Sequence, residues 1–291
     1  MTAAPDADPR LAPYRDVRDA DLRGAHGLFL VESPRCVARF LRACARGAWQ
    51  AESALVAPEH LSLLGPLARA ANCPLLHAEA DWIAAHSGYR FHHGALAIGR
   101  HPAPRPLAEL LTALPPGPAT LVIADGVVHV DNMGSLFRNA ACLGAHAVAL
   151  GPGCADPLGR KSVRISMGRV FGVPFTAVPD AAQAVREAKA AGFACVALEQ
   201  APGAVPLQGW TPAARTALVL GAEGRGVDPG LLAACDACVE IPASPDPLAG
   251  ELDGAPSLNV STALAIALHE LRRAHGGTGT TQGLGVGATG T

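Results

Sequence analysis

Lysine is almost missing from this chain. Lys161 and Lys189 are the only two among 23 basic residues, and the rest are arginine. Aromatic residues make up only 4%, so the core must be built mainly from Ala, Val and Leu. Charged residues reach just 16%, with a formal net charge of -2. That balance excludes a basic protein that coats nucleic acid, but not an enzyme with one local basic patch. No uninterrupted apolar run reaches the roughly 18 to 20 residues that span a bilayer. Met1 to Pro9 is polar and acidic with no apolar core behind it, so no secretory signal is read there. A soluble cytoplasmic protein without a membrane role is expected.

Two nucleotide signatures are also missing. There is no Walker A pattern, and Gly221 to Gly226 lacks the GxGxxG spacing. Both points argue against a P-loop hydrolase and a dinucleotide oxidoreductase. Cys235-Asp236-Ala237-Cys238 is a lone CxxC without a second pair or a nearby histidine, so no metal is implied. The other cysteines read as ordinary thiols, not a disulfide scaffold.

What is present is a globular chain of 291 residues, 49% hydrophobic, enough for one large domain or two ordinary ones. Residues 1–12 read as a flexible leader. Strand candidates at Leu28–Val31, Ala54–Ala57, Pro74–His77 and Ala95–Ile98 alternate with helical stretches at Arg35–Ala45 and Leu61–Ala70. They predict a small α/β domain over 13–104. Two proline-dense breaks, His101–Pro106 and Pro115–Pro118, bracket a short helix and mark a linker at 105–118.

The continuous apolar run Thr120–Ala124 predicts a strand buried on both faces of a parallel sheet. Helices predicted over Gly134–Leu143, Arg160–Met167, Ala181–Ala191 and Leu258–Leu271 alternate with strands at Ala147–Leu150, Phe193–Leu198, Ala217–Leu220 and Val239–Ile241. The second domain is therefore a parallel α/β sheet over 119–275. The Gly/Thr-rich tail, 276–291, is expected to be disordered.

Three polar segments fall just past predicted strands: Asp131–Ala140, Leu220–Gly226 and Ser257–Ser261. Ligands of parallel α/β proteins collect at that edge. Singly, each has an ordinary explanation in turn glycines and helix caps. Together they are specific. Asn132, Gly134 and Arg138 form an N-x-G-x-x-x-R pattern, with Gly144 beyond it. Leu220-Gly221-Ala222-Glu223-Gly224 follows, then Ile241-Pro242 and Ser257-Leu258-Asn259-Val260-Ser261. In order and spacing, these segments resemble the three signatures of the SpoU/TrmH-type RNA ribose methyltransferases of the SPOUT superfamily, over about residues 119–273. A weaker resemblance over about 20–100 is to that family's small substrate-binding domain, related to ribosomal protein L30e.

The resemblance implies a SPOUT-type parallel-sheet domain closed by a C-terminal deep trefoil knot. It implies S-adenosyl-L-methionine (AdoMet) as cofactor, a homodimer with each site near the subunit interface, and methyl transfer to a ribose 2'-hydroxyl of RNA. Ribosomal RNA is the expected substrate. A tRNA 2'-O-methyltransferase and a non-catalytic RNA-binding assembly factor are the alternatives.

The implied catalytic residues are Asn132, Arg138, Glu223 and Asn259. Arg138 could clamp a phosphate bidentately. A guanidinium holds its proton far more tightly than a base working at neutral pH should, so charge stabilisation suits arginine better than proton abstraction. Leu220, Gly221, Ile241, Ser257 and Leu258 match the positions that hold the cofactor, mostly through main-chain groups. Arg160, Lys161, Arg164 and Arg169 form the densest basic cluster and a candidate RNA-phosphate patch. Arg18, Arg23, Arg35, Arg39 and Arg42 offer a second patch on the small domain, with Arg35, Arg39 and Arg42 on one helical side. The stretch Ala243–Pro256 is longer and more acidic than the corresponding link in much of the family.

Overall fold

The structure is a computed structural model that describes residues 8–15, 27–87, 94–244 and 257–276. Arg18, Arg23, the acidic stretch from 245 to 256, the tail from 277 and most of the leader lie outside the described residues. No helix among those described is long and apolar enough to cross a membrane.

The first half forms a four-stranded sheet in the order β1-β4-β2-β3. Its strands are β1 (Leu28–Glu32), β2 (Ala51–Val56), β3 (Leu75–His77) and β4 (Ala95–Arg100), with helices α1 (Pro34–Ala45), α2 (Leu61–Ala70) and α3 (Ala80–His86). β4 runs antiparallel to both β1 and β2, while β2 and β3 are parallel. α1 starts where the sequence supplies start signals. The Ser33 hydroxyl accepts from the Cys36 N–H, and Pro34 takes the first helical position. Val37, Phe40, Leu41 and Cys44 are buried along one stripe of the helix, at helical spacing.

A short helix, α4 (Leu107–Thr112), occupies the stretch read as a linker. Leu107, Leu110 and Leu111 are buried in the core of the second sheet, so this stretch packs as part of that layer.

The second sheet has seven strands in the order β7-β6-β5-β10-β8-β11-β9, every pair parallel. They are β5 (Ala119–Ala124), β6 (Ala147–Leu150), β7 (Phe175–Ala177), β8 (Ala194–Leu198), β9 (Val205–Pro206), β10 (Arg215–Leu220) and β11 (Ala237–Glu240). β5 is buried throughout. Leu121 and Ile123 face one layer, with α4, α7 (Ala181–Ala190) and α8 (Pro229–Ala234). Val122 and Ala124 face the other, with α5 (Val130–Leu143) and α9 (Val260–Ala274). Strand alternation makes this two-sided burial possible, and it explains the unbroken apolar run.

Two corrections concern boundaries. α5 begins at Val130 instead of Gly134, so Asn132 lies inside the helix and caps nothing. The expected helix 160–167 ends at Ile165 (α6), and Met167 takes a positive φ of 56°. The short elements α3, β7, α8 and β9 escape a periodicity reading because each is only two to seven residues long.

The halves meet at a seam in which the scarce aromatics are concentrated. Phe29, Phe40 and Trp49 surround Phe171, with ring centroids 4.9–5.9 Å from it. The Trp49 indole N–H also donates to the Phe171 carbonyl at 3.1 Å. Beside them lies a charged clamp. Glu32, at the end of β1, is only 2% exposed and accepts from both Arg160 and Arg164 of α6, the latter at 2.7 Å. Arg39 of α1 donates to the Met167 carbonyl.

Candidate active site

Three segments converge at the carboxyl edge of the parallel sheet. Asn132 comes from the first turn of α5, Glu223 from the loop after β10, and Asn259 from the start of α9. Asn259 links them. Its Nδ2 donates to Asn132 Oδ1 at 2.8 Å and to Glu223 Oε1 at 2.9 Å. Its Oδ1 faces the other way and caps α9, accepting from the Ser261 N–H at 2.9 Å and the Ser261 hydroxyl at 2.6 Å. One amide therefore uses both ends, and the cap fixes which end points at the site.

Two clefts flank this cluster. The larger, about 630 Å³, is lined by Leu198–Gln200, Leu220–Gly226, Ile241, Ser257–Val260 and Ala263. The five expected cofactor residues, Leu220, Gly221, Ile241, Ser257 and Leu258, all line it. The smaller, about 240 Å³, is lined by His129, Val130, Asp131, Asn132, Lys161, Glu223 and Asn259. Glu223 and Asn259 belong to both.

The floor of the larger cleft is a backbone turn. Ala222 and Gly226 exchange both main-chain hydrogen bonds, at 3.1 and 2.9 Å. Gly221 packs so closely under this turn that an added Cβ would stand 2.1 Å from the Gly226 carbonyl oxygen. Glu199, just past the end of β8, props the turn by accepting from the Val227 N–H at 2.7 Å. Another close approach occurs at Gly134, where a Cβ would lie 2.6 Å from Ile165 Cβ. This contact lets α5 and α6 cross, and it outweighs the roughly 1 kcal/mol that glycine costs within a helix.

The structure separates some residues grouped by the sequence. Arg138 is exposed on α5 and lines neither cleft. Six residues turn a helix about 240° from Asn132, so the two side chains cannot share a face. Asn139, seven residues on, does share it, and its Nδ2 donates to the Ser261 carbonyl at 2.7 Å. That spacing was a usable signal for Asn139. Glu199 and His129 had none beyond lying near strand ends.

The basic cluster also divides, and this corrects the phosphate-patch expectation for part of it. Arg160 is only 11% exposed and spends its charge on Glu32, so it is a seam residue. Arg164 shares that carboxylate while staying half exposed. Lys161 pairs with Asp131 at 2.6 Å on the rim of the smaller cleft. Arg169, by contrast, comes close to Arg39 of the small domain, which Arg35 also neighbours. Burial, followed by the Arg169 cation, pushes the Arg39 guanidinium below its ordinary value. The two expected patches thus meet at one seam. Cys235 and Cys238 donate to the carbonyls of Leu231 and Glu199, and burial pushes the Cys235 thiol up to about 11.

The fold and this site define an α/β protein with a small-molecule cleft at the carboxyl edge of a parallel sheet. Comparison with known proteins makes the class specific. The family model described as the SpoU rRNA Methylase family matches residues 119–269. A Mycobacterium tuberculosis protein named as an uncharacterized tRNA/rRNA methyltransferase is 35% identical, over 94% of this chain and 92% of that protein. The 23S rRNA (guanosine-2'-O-)-methyltransferase RlmB of Nitrosomonas europaea is 34% identical, over 72% of this chain and 77% of that enzyme. In fold, the chain is similar to the SpoU methyltransferase AviRb of Streptomyces viridochromogenes, solved in complex with AdoMet. The TM-score is 0.75 at 23% identity, over 92% of this chain and 99% of that one. The chain belongs to the SpoU rRNA methylase family.

Proposed function

We propose that this protein transfers the methyl group of AdoMet to a ribose 2'-hydroxyl of ribosomal RNA. The observation that carries the reading is the pair of clefts meeting at Glu223 and Asn259, within a chain of this family. The larger cleft has the size and mixed lining of a small-molecule site. Its glycine turn exposes main-chain groups suited to an adenosine and a methionine moiety. Leu220, Gly221, Ile241 and Leu258 would hold the cofactor, with Ser257 at its edge. When bound, AdoMet supplies an electrophilic methyl group.

The chain's own residues orient the acceptor. Asn132 offers its amide to the ribose, Asn259 holds Asn132 and Glu223 in place, and Glu223 sets the polarity of this edge. Arg138, an exposed cation outside both clefts, suits a neighbouring RNA phosphate, not the hydroxyl proton. Arg35, Arg39 and Arg169 at the seam extend that phosphate track onto the small domain, which we take to be the L30e-like RNA-recruiting module. The return of residues 257–259 to the 221–226 turn supports the trefoil knot. The exposed Val128, Val130 and Leu258 near the site support a homodimer that closes there.

Labelled methyl transfer to total RNA, followed by size separation and nucleoside analysis, tests the reading. Label in a 2'-O-methylnucleoside of rRNA is expected. Label confined to tRNA would move the substrate to that class, and AdoMet binding without any transfer would favour the assembly-factor alternative.

Two further outcomes are expected. Gly221→Ala should weaken AdoMet binding at least tenfold by calorimetry, because the methyl can fit only by moving backbone. Unchanged affinity would remove Gly221 from the cofactor floor. Neutralising Arg35 and Arg169 should flatten the dependence of log affinity for RNA on log salt, by about one unit for each phosphate no longer neutralised. An unchanged slope would return these residues to solvent.

A further inference from the structure

In the reaction proposed above, the ribose hydroxyl must shed its proton as it attacks. Glu223 and Asn259 form the wall common to both clefts, so the transfer must pass there. The charged or titratable groups lining the smaller cleft are Asp131, Lys161, Glu223 and His129. Lys161 and Asp131 occupy each other at 2.6 Å, and a lysine cation accepts no proton. Glu223 Oε1 accepts from Asn259, and its Oε2 faces His129. His129 remains. It is the residue just before α5, 66% exposed, with Nε2 3.7 Å from Glu223 Oε2.

We propose that His129, oriented by Glu223, is the proton acceptor for the RNA ribose 2'-hydroxyl. This rests on the methyl-transfer reading. A carboxylate beside Nε2 favours the tautomer that carries its proton there, and it leaves Nδ1 as the basic atom. The 2'-oxygen forms a bond to the methyl carbon. The carbon–sulfur bond of the donor breaks, and its electron pair goes to sulfur. The hydroxyl proton passes to Nδ1. The positive charge that leaves the sulfonium reappears on the imidazolium, beside the Glu223 carboxylate. Exposure then lets the proton return to water. The 3.7 Å spacing is loose for a hydrogen bond, as catalytic pairs often are before substrate seats.

The test uses the full chain, AdoMet and rRNA in single-turnover assays across pH. For the wild type, the rate should rise tenfold per pH unit and then level off. His129→Gln should be about 10²-fold slower and should lose the inflection. AdoMet and RNA dissociation constants should stay within twofold. A second readout needs neither ligand. NMR titration of labelled imidazoles should show that Glu223→Gln lowers the His129 pKa.

A His129→Gln rate within threefold of wild type, a retained inflection, or a His129 titration indifferent to Glu223→Gln would each overturn the proposal. A wild type that methylates no ribose overturns the parent reading and this proposal together. An active wild type with an indifferent His129→Gln overturns this proposal alone.

Discussion

Asn259→Ala is expected to reduce methyl transfer by at least about 10²-fold, the scale of a positional error near reacting atoms. The change removes three functions at once. Asn132 Oδ1 and Glu223 Oε1 lose their shared donor, and α9 loses its cap. The cap alone is worth about 1 kcal/mol, so a modest fall in melting temperature should accompany the loss of activity. Asn259→Asp separates the effects. A carboxylate caps a helix as well as an amide does, so stability should return. It cannot donate to Asn132 or Glu223, and it sets a second negative charge beside Glu223. Activity should therefore stay low. If Asn259→Asp restored turnover, the amide would be a cap only, and the site would be organised by something else.

Glu32→Ala should produce the largest loss of stability, about 3–5 kcal/mol, because it removes the buried carboxylate that Arg160 and Arg164 share. The pair Glu32→Met with Arg160→Met should recover most of that loss, since apolar side chains of similar volume suit the site beside the Phe171 aromatics. A double-mutant cycle on denaturation midpoints measures the coupling. Additive effects, within about 0.5 kcal/mol, would mean that the clamp does not act as a unit. Weakening it should also lower affinity for structured RNA more than for AdoMet. The seam sets Arg35 and Arg39 of the small domain beside Arg169 of the other half, whereas the larger cleft is built wholly from the parallel-sheet half.

The parallel sheet was legible because burial on both faces leaves an unbroken apolar run, as at Thr120–Ala124. The closing helix was legible from Leu264, Leu268 and Leu271 at helical spacing behind a capping Asn259. The larger cleft was legible through the family signatures, since the five residues that they single out line it together. The start of α5 was not. Val130 is a weak helix former, Asp131 and Asn132 are of the types that usually precede a helix, and the glycine at 134 reads as a turn until Ile165 is seen against it. Arg138 was grouped with Asn132 by motif spacing, yet helical geometry sends the two to different faces.

The order of hydrophobic and polar residues by itself determined two α/β units, the parallel class of the larger sheet and the identity of three polar segments at its carboxyl edge. These depend on local periodicity and on motifs that survive in one dimension. Only the tertiary structure decided what Glu32, Arg160 and Arg164 do. The acid lies more than a hundred residues from either arginine, and a charge in a sequence does not say whether it will face phosphate, water or a buried carboxylate. The same limit hid His129 beside Glu223. Neither residue has a signal that names the other, and only the folding of α5 against the loop after β10 brings them to one cleft.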